Sequence, residues 1–92
     1  MQWEYSRLSY YSPGWNEVPN EAYVDYKVFG QPNERLFKVT KHLESYDEWL
    51  SSVKDQFAIY DDKFAALGAE AWELVSVQGG QAFFKRPIRP TG

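Results

Sequence analysis

The side chains that could do chemistry in this chain are carboxylates, one histidine and a surplus of aromatic rings; cysteine is absent. His42 stands beside Glu44 and close to Asp47. With one histidine and no thiolate, a zinc or other transition-metal site would need carboxylates for its remaining ligands. A solvated histidine in a loop between a strand and a helix is the favoured reading. Asp47-Glu48 and Asp61-Asp62 are adjacent acid pairs. Acid–base catalysis needs two carboxyls held in one cleft with their pKa values pushed apart, whereas neighbours along a helix point in different directions. No phosphate loop, metal set or nucleophile–base pair is visible. The expectation is a protein that is not an enzyme and uses no cofactor.

Charge is unevenly spread. From Glu44 to Glu73 there are eight acids against Lys54 and Lys63, a pattern read first as a solvated helix face and second as a dock for a basic partner. Lys85, Arg86 and Arg89 follow with no acid between or after them. Solubilising charges on a terminal strand explain them better than phosphate contacts do. The net charge of −3 and a pI near 5.0 argue against nucleic acid as a partner. Tyr5, Tyr23 and Phe83 are of the type that stacks on bases. A sheet covered by one helix needs such rings inside, so core packing is the expectation for them.

These residues must be positioned by a short chain. Ninety-two residues, 43% of them hydrophobic and 18% aromatic, are enough for one small domain spanning 1–92. No apolar run reaches the length of a membrane span, the start lacks a signal-peptide pattern, and no disulfide framework is possible. A cytoplasmic protein with no membrane partner is expected. Strand-forming residues bounded by turn signals predict strands over Gln2–Tyr11, Ala22–Phe29, Glu34–Lys41, Trp72–Val77 and Ala82–Arg86, with the clearest period-two alternation in Ala22–Phe29 and a Gly79-Gly80 hairpin turn between the last two. Tyr46, Leu50, Val53, Phe57, Tyr60, Phe64 and Leu67 recur at steps of four and three and predict one helix over Ser45–Leu67. Ser45 is placed to cap it and Gly68 to stop it in a left-handed turn. A bend near Ala58–Asp61 would shorten so long a helix. Residues 87–92, with Pro87 and Pro90, read as a frayed tail. The predicted class is α+β: an antiparallel sheet of about four to five strands with one long amphipathic helix packed on one face.

Trp3-Glu4-Tyr5 at the start, the run from Leu67-Gly68 through Trp72-Glu73-Leu74-Val75 to Val77, and Phe84-Lys85-Arg86-Pro87 together resemble the bacterial domain-of-unknown-function family 4177. The likeness covers roughly a third of the chain, in three blocks in the family's order. It implies a small α+β fold and a bacterial source and carries no activity. Residues 12–44 look like an insertion into that pattern. Ala71 stands where the family has glycine; if the position requires positive φ, alanine there costs about 1 kcal/mol. The motif residues read as folding devices, with Trp72 and Leu74 starting a strand that faces the helix and Trp3–Tyr5 lying beside the last strand.

Function is expected from the aromatic surplus. One helix covers one face of a sheet, and apolar area on the other is buried by another chain, by a ligand, or by residues 12–44 folding back. The leading expectation is a protein–protein interaction or self-assembly module, a homo-oligomer or a partner of another protein, with Tyr10, Tyr11, Trp15, Tyr23 and Phe29 at the contact. The alternative is a small-molecule-binding protein whose apolar pocket, between helix and sheet, is lined by Trp49, Tyr60 and Trp72.

Overall fold

The computed structural model describes residues 2–12, 21–39 and 45–88. Five strands, β1 (Trp3–Tyr11), β2 (Ala22–Val28), β3 (Glu34–Val39), β4 (Glu73–Gln78) and β5 (Gln81–Pro87), and one helix, α1 (Tyr46–Ala69), follow in the order β1-β2-β3-α1-β4-β5. The strands form one sheet in the order β3-β2-β1-β5-β4, and every neighbouring pair is antiparallel. The α+β class, the five strands and the single helix on one face agree with the sequence reading. β1 is the middle strand. It pairs with β2 from Ser6↔Val28 to Tyr11↔Tyr23 and with β5 from Trp3↔Pro87 to Ser9↔Gln81. Trp3-Glu4-Tyr5 thus lies against the last strand, where the motif placed it. Pairing continues past Pro87, because the Ile88 N–H donates to the Gln2 carbonyl at 2.9 Å.

Period two decides what each face carries. Leu8, Val24, Tyr26, Ala82 and Phe84 point to the helix and join Leu67 and Trp72 in the core. β3 departs from strict alternation because its register shifts, so that Phe37 sits opposite Val24 and Arg35 opposite Asp25. Leu36 is the extra residue of a bulge, which lets it pack against the core together with Phe37. β4 repeats the device: Leu74 faces Phe84 and Ser76 faces Phe83, with Val75 extra between them.

The helix begins at Ser45, whose Oγ accepts from the Glu48 N–H at 3.1 Å, and Asp47 and Glu48 occupy the first turn. It then runs unbroken for 24 residues, about 36 Å at 1.5 Å per residue, without ending near Ala58–Asp61. Phe64 meets Phe84 edge-on at 5.3 Å, and Tyr60 and Phe57 meet Tyr10 at 5.2 and 5.4 Å. Not all of the predicted stripe is inside: Tyr46 and Phe57 are exposed. The fully buried residue in the middle of α1 is instead Gln56. Its Nε2 donates to the carbonyls of Tyr11 at 2.8 Å and Tyr23 at 3.0 Å, a cross-strand pair. A neutral amide thereby clamps the helix onto the ends of β1 and β2.

The helix stop corrects the sequence reading. Gly68 lies inside α1 without positive φ, and the left-handed residue is Ala71, at φ 69°. The Trp72 N–H reaches the Leu67 carbonyl at 3.0 Å and the Ala71 N–H reaches that of Gly68 at 3.2 Å. These two bonds make a Schellman ending, and its apolar contact is the buried pair Leu67 and Trp72. Ala71 therefore is the position that requires positive φ. A second glycine is demanded by space. Gly80, in the β4–β5 turn, lies against β1, where an added Cβ would meet the Tyr10 carbonyl oxygen at 2.5 Å.

Two substitutions separate the alternatives for the stop. A Cβ at Gly68 meets nothing within 4 Å, so Gly68→Ala is expected to stabilise by about 0.5–1 kcal/mol through helix propensity. Ala71→Gly is expected to gain on the order of 1 kcal/mol by relieving the left-handed alanine. Each should raise the melting temperature by about 4–8 °C per kcal/mol. A fall in Tm for Gly68→Ala would return the stop to Gly68.

Candidate interaction surface

The side of the sheet turned away from α1 follows from the same registers. β1 sends Trp3, Tyr5, Arg7, Ser9 and Tyr11 to it. Opposite these stand Lys85, Phe83 and Gln81 on β5 and Lys27, Asp25 and Tyr23 on β2. Phe29 extends the row, its N–H donating to the Tyr5 carbonyl at 2.9 Å. Arg35 and Lys38 reach this side from β3, opposite Asp25 and Tyr23, and Glu73 from β4, opposite Lys85.

Rings and cations alternate across it. Trp3, Tyr5, Tyr11 and Phe29 are 38%, 47%, 47% and 50% exposed. Tyr11 stacks on Tyr23 at 5.8 Å, the Arg35 guanidinium lies over Tyr23 at 4.7 Å, and the Lys85 ammonium lies over Trp3 at 4.6 Å. The strand positions carry five bases, Arg7, Lys27, Arg35, Lys38 and Lys85, against two acids, Asp25 and Glu73. Arg35 grips Asp25 with both ends, Nε to Oδ1 at 2.8 Å and Nη2 to Oδ2 at 3.0 Å. Those bonds hold the nearly buried Asp25 carboxyl below its ordinary pKa against the opposing effect of burial, and the same contact raises Arg35. At the centre, Arg7 and Lys27 are direct cross-strand partners. Like charges so placed destabilise a sheet. The Arg7 Nε is also buried with no hydrogen-bond partner among the described residues.

The excess of acids is on the other side of the molecule. α1 carries Asp47, Glu48, Asp55, Asp61 and Asp62 against Lys54 and Lys63. An open depression of about 440 Å³ between α1 and β3 is lined by Phe37, Val39, Asp47, Ser51 and Asp55 among others.

The expected contact residues separate between the two sides. Tyr11, Tyr23 and Phe29 all lie on the outward face, Tyr11 stacked on Tyr23 at one end of β1 and Phe29 beside Tyr5 six residues away, and Tyr10 packs under the helix. Trp15 lies outside the described residues, as do His42 and Arg89. The proposed pocket residues do not converge. Trp49 sits by Tyr46 in the first turns of α1, Tyr60 touches Tyr10 and Phe64, and Trp72 is buried beyond the end of the helix beneath the Arg86 guanidinium at 4.2 Å. The core placement expected for Tyr5, Tyr23 and Phe83 is corrected, because their registers put all three on the face without the helix. The sequence reading passed over Trp3, Arg7 and Lys27 as surface residues. The signal was there, since Trp3, Tyr5 and Arg7 already shared one side of a period-two strand.

Among the described residues no group of histidine, cysteine and carboxylate side chains could hold a metal ion, and no helix is long and apolar enough to cross a membrane. A different kind of surface lies at the sheet's edge. Leu74, Val75 and Val77 on β4 are 44%, 53% and 59% exposed, and among the described residues β4 has a neighbouring strand on one side only. The chain matches no family model, no curated protein and no solved structure.

The Asp25–Arg35 contact makes stability depend on acid. Because the folded pKa of Asp25 lies below the ordinary 3.8, its contribution is present above that value and is lost as pH falls through the folded one. Asp25→Asn is expected to lower the urea midpoint at neutral pH and to flatten its decline below about pH 4. Parallel acid limbs for the two proteins would show that the pair does not act in folding.

Proposed function

We propose that the protein is a non-enzymatic interaction module, and that it meets an acidic partner on the sheet face opposite the helix. The observation that carries this is the Arg7–Lys27 pair, two cations held directly opposite each other amid rings that stay open to water. A face built only for the fold gains nothing from that arrangement; a face built to receive negative charge does. The expectation of an apolar contact surface is thereby sharpened to a mixed aromatic and basic one. The cost to folding is measurable. Lys27→Thr, which removes one cation and keeps a strand-forming side chain, is expected to stabilise by a few tenths of a kcal/mol. A clear loss of stability would mark Lys27 as a structural residue and would remove the main support for this reading.

Self-assembly has its own support, at β4. From Leu74 to Gln78 the strand carries no charge, whereas β3, the opposite edge, has Glu34, Arg35 and Lys38 in six residues. Charged edges resist pairing and uncharged apolar ones invite it. Two copies joined antiparallel through β4 would continue the sheet and cover Val75 and Val77 without opposing like charges. Sedimentation velocity over a range of concentrations should show a dimer in the wild type and a monomer for Val75→Lys. A monomer at every concentration of wild type would end this second reading.

A further inference from the structure

We infer that the acidic partner on the outward face is single-stranded nucleic acid, an inference that rests on the reading of that face as the contact surface. Along β1 the outward side chains run ring, ring, cation, hydroxyl, ring: Trp3, Tyr5, Arg7, Ser9 and Tyr11. They are spaced by two residues, about 6.6–6.8 Å. Phe83 and Lys27 flank Arg7, and Lys85 and Phe29 flank Tyr5. A single strand brings the two complementary features together, a phosphate chain for the cations and unpaired bases for the rings. A duplex hides the base faces, and an acidic peptide brings charge with nothing flat to lay on Tyr5 or Phe83. A second copy set face to face would bring Arg7 and Lys27 against their own equivalents. Arg7 makes no ion pair with an acid among the described residues, its Nε being buried without a partner there, so a turn of the side chain would offer its guanidinium to a phosphate oxygen. The acids of α1, on the other side of the sheet, repel a polyanion there and leave it one face to approach.

The test is fluorescence anisotropy with labelled mixed-sequence RNA and DNA single strands of about ten nucleotides, within the usual site sizes for sheet platforms. The matching duplex is run alongside, with polyglutamate as competitor, at several salt concentrations. Binding to a single strand that weakens with salt and exceeds binding to the duplex supports the inference. Tyr5→Ala should then reduce affinity about tenfold with the salt slope unchanged. Arg7→Gln should reduce the affinity and lower the slope by about 0.7. Thermal melts check that the variants fold, and Arg7→Gln, which relieves the like-charge pair, serves should Tyr5→Ala fail to fold. If polyglutamate competes as well as the single strand and Tyr5→Ala changes nothing, nucleic acid is overturned while an acidic protein partner at the same face stands. If wild type binds neither the single strands nor, in a direct titration, labelled polyglutamate, both the inference and the contact-surface reading fall. Binding that survives both Tyr5→Ala and Arg7→Gln places the site elsewhere and overturns the inference as well.

Discussion

A slip of one residue in β1 would exchange the two sides of this molecule. β1 is the only strand that joins the two hairpins, β2–β3 on one flank and β4–β5 on the other. Its alternation sends Ser6 and Leu8 into burial and Tyr10 onto Tyr60 and Phe57, and leaves Trp3, Tyr5, Arg7 and Tyr11 outside. Register is strongly specified where one face is buried and the other solvated. Three further contacts hold it here. Gln56 ties down the ends of β1 and β2, Gly80 lies against Tyr10, and Arg86 pairs with Glu4 across the β1–β5 ladder. The outward surface is therefore as well determined as the core, because a single register sets both.

Segregation of charge is the second consequence. Summed over the chain, acids outnumber bases by three, and that sum points away from any anionic partner. The sum conceals a division, with α1 carrying the surplus of acids and the far side of the sheet the surplus of bases. Net charge governs solubility, whereas a docking partner feels the local field within about a Debye length, roughly 8–10 Å in ordinary salt.

The clearest elements were legible in the sequence because of their periods, two in β2 and alternating three and four in α1, and the others through strand-forming residues between turn signals. Less legible were the places where a period is broken. Leu36 and Val75 are bulge residues, and a bulge moves the following side chains to the other face without leaving a mark in composition. Gln56 looks like a surface residue by type and is buried because two backbone carbonyls meet it. Gly68 drew the helix stop toward itself, although the φ value that ends the helix belongs to an alanine three residues later. The outward placement of Tyr5, Tyr23 and Phe83 was missed for a simpler reason. Aromatic type was weighed above alternation, and alternation was right. The partner of that face leaves no pattern in period or composition, so the sequence pointed to a surface and not to its occupant.

The ladder between β1 and β5 also has a meaning in time. Glu4 and Arg86, paired across it, are 82 residues apart in the chain, while β4 meets β5 through a turn of two glycines. Closing so wide a loop is entropically slow compared with zipping a hairpin or propagating a helix. As the chain is synthesised, the central strand has its full set of neighbours only when the last one emerges. Until then the β5-facing flank of β1 is an unpaired edge, and the register that sets both faces of the sheet is completed last.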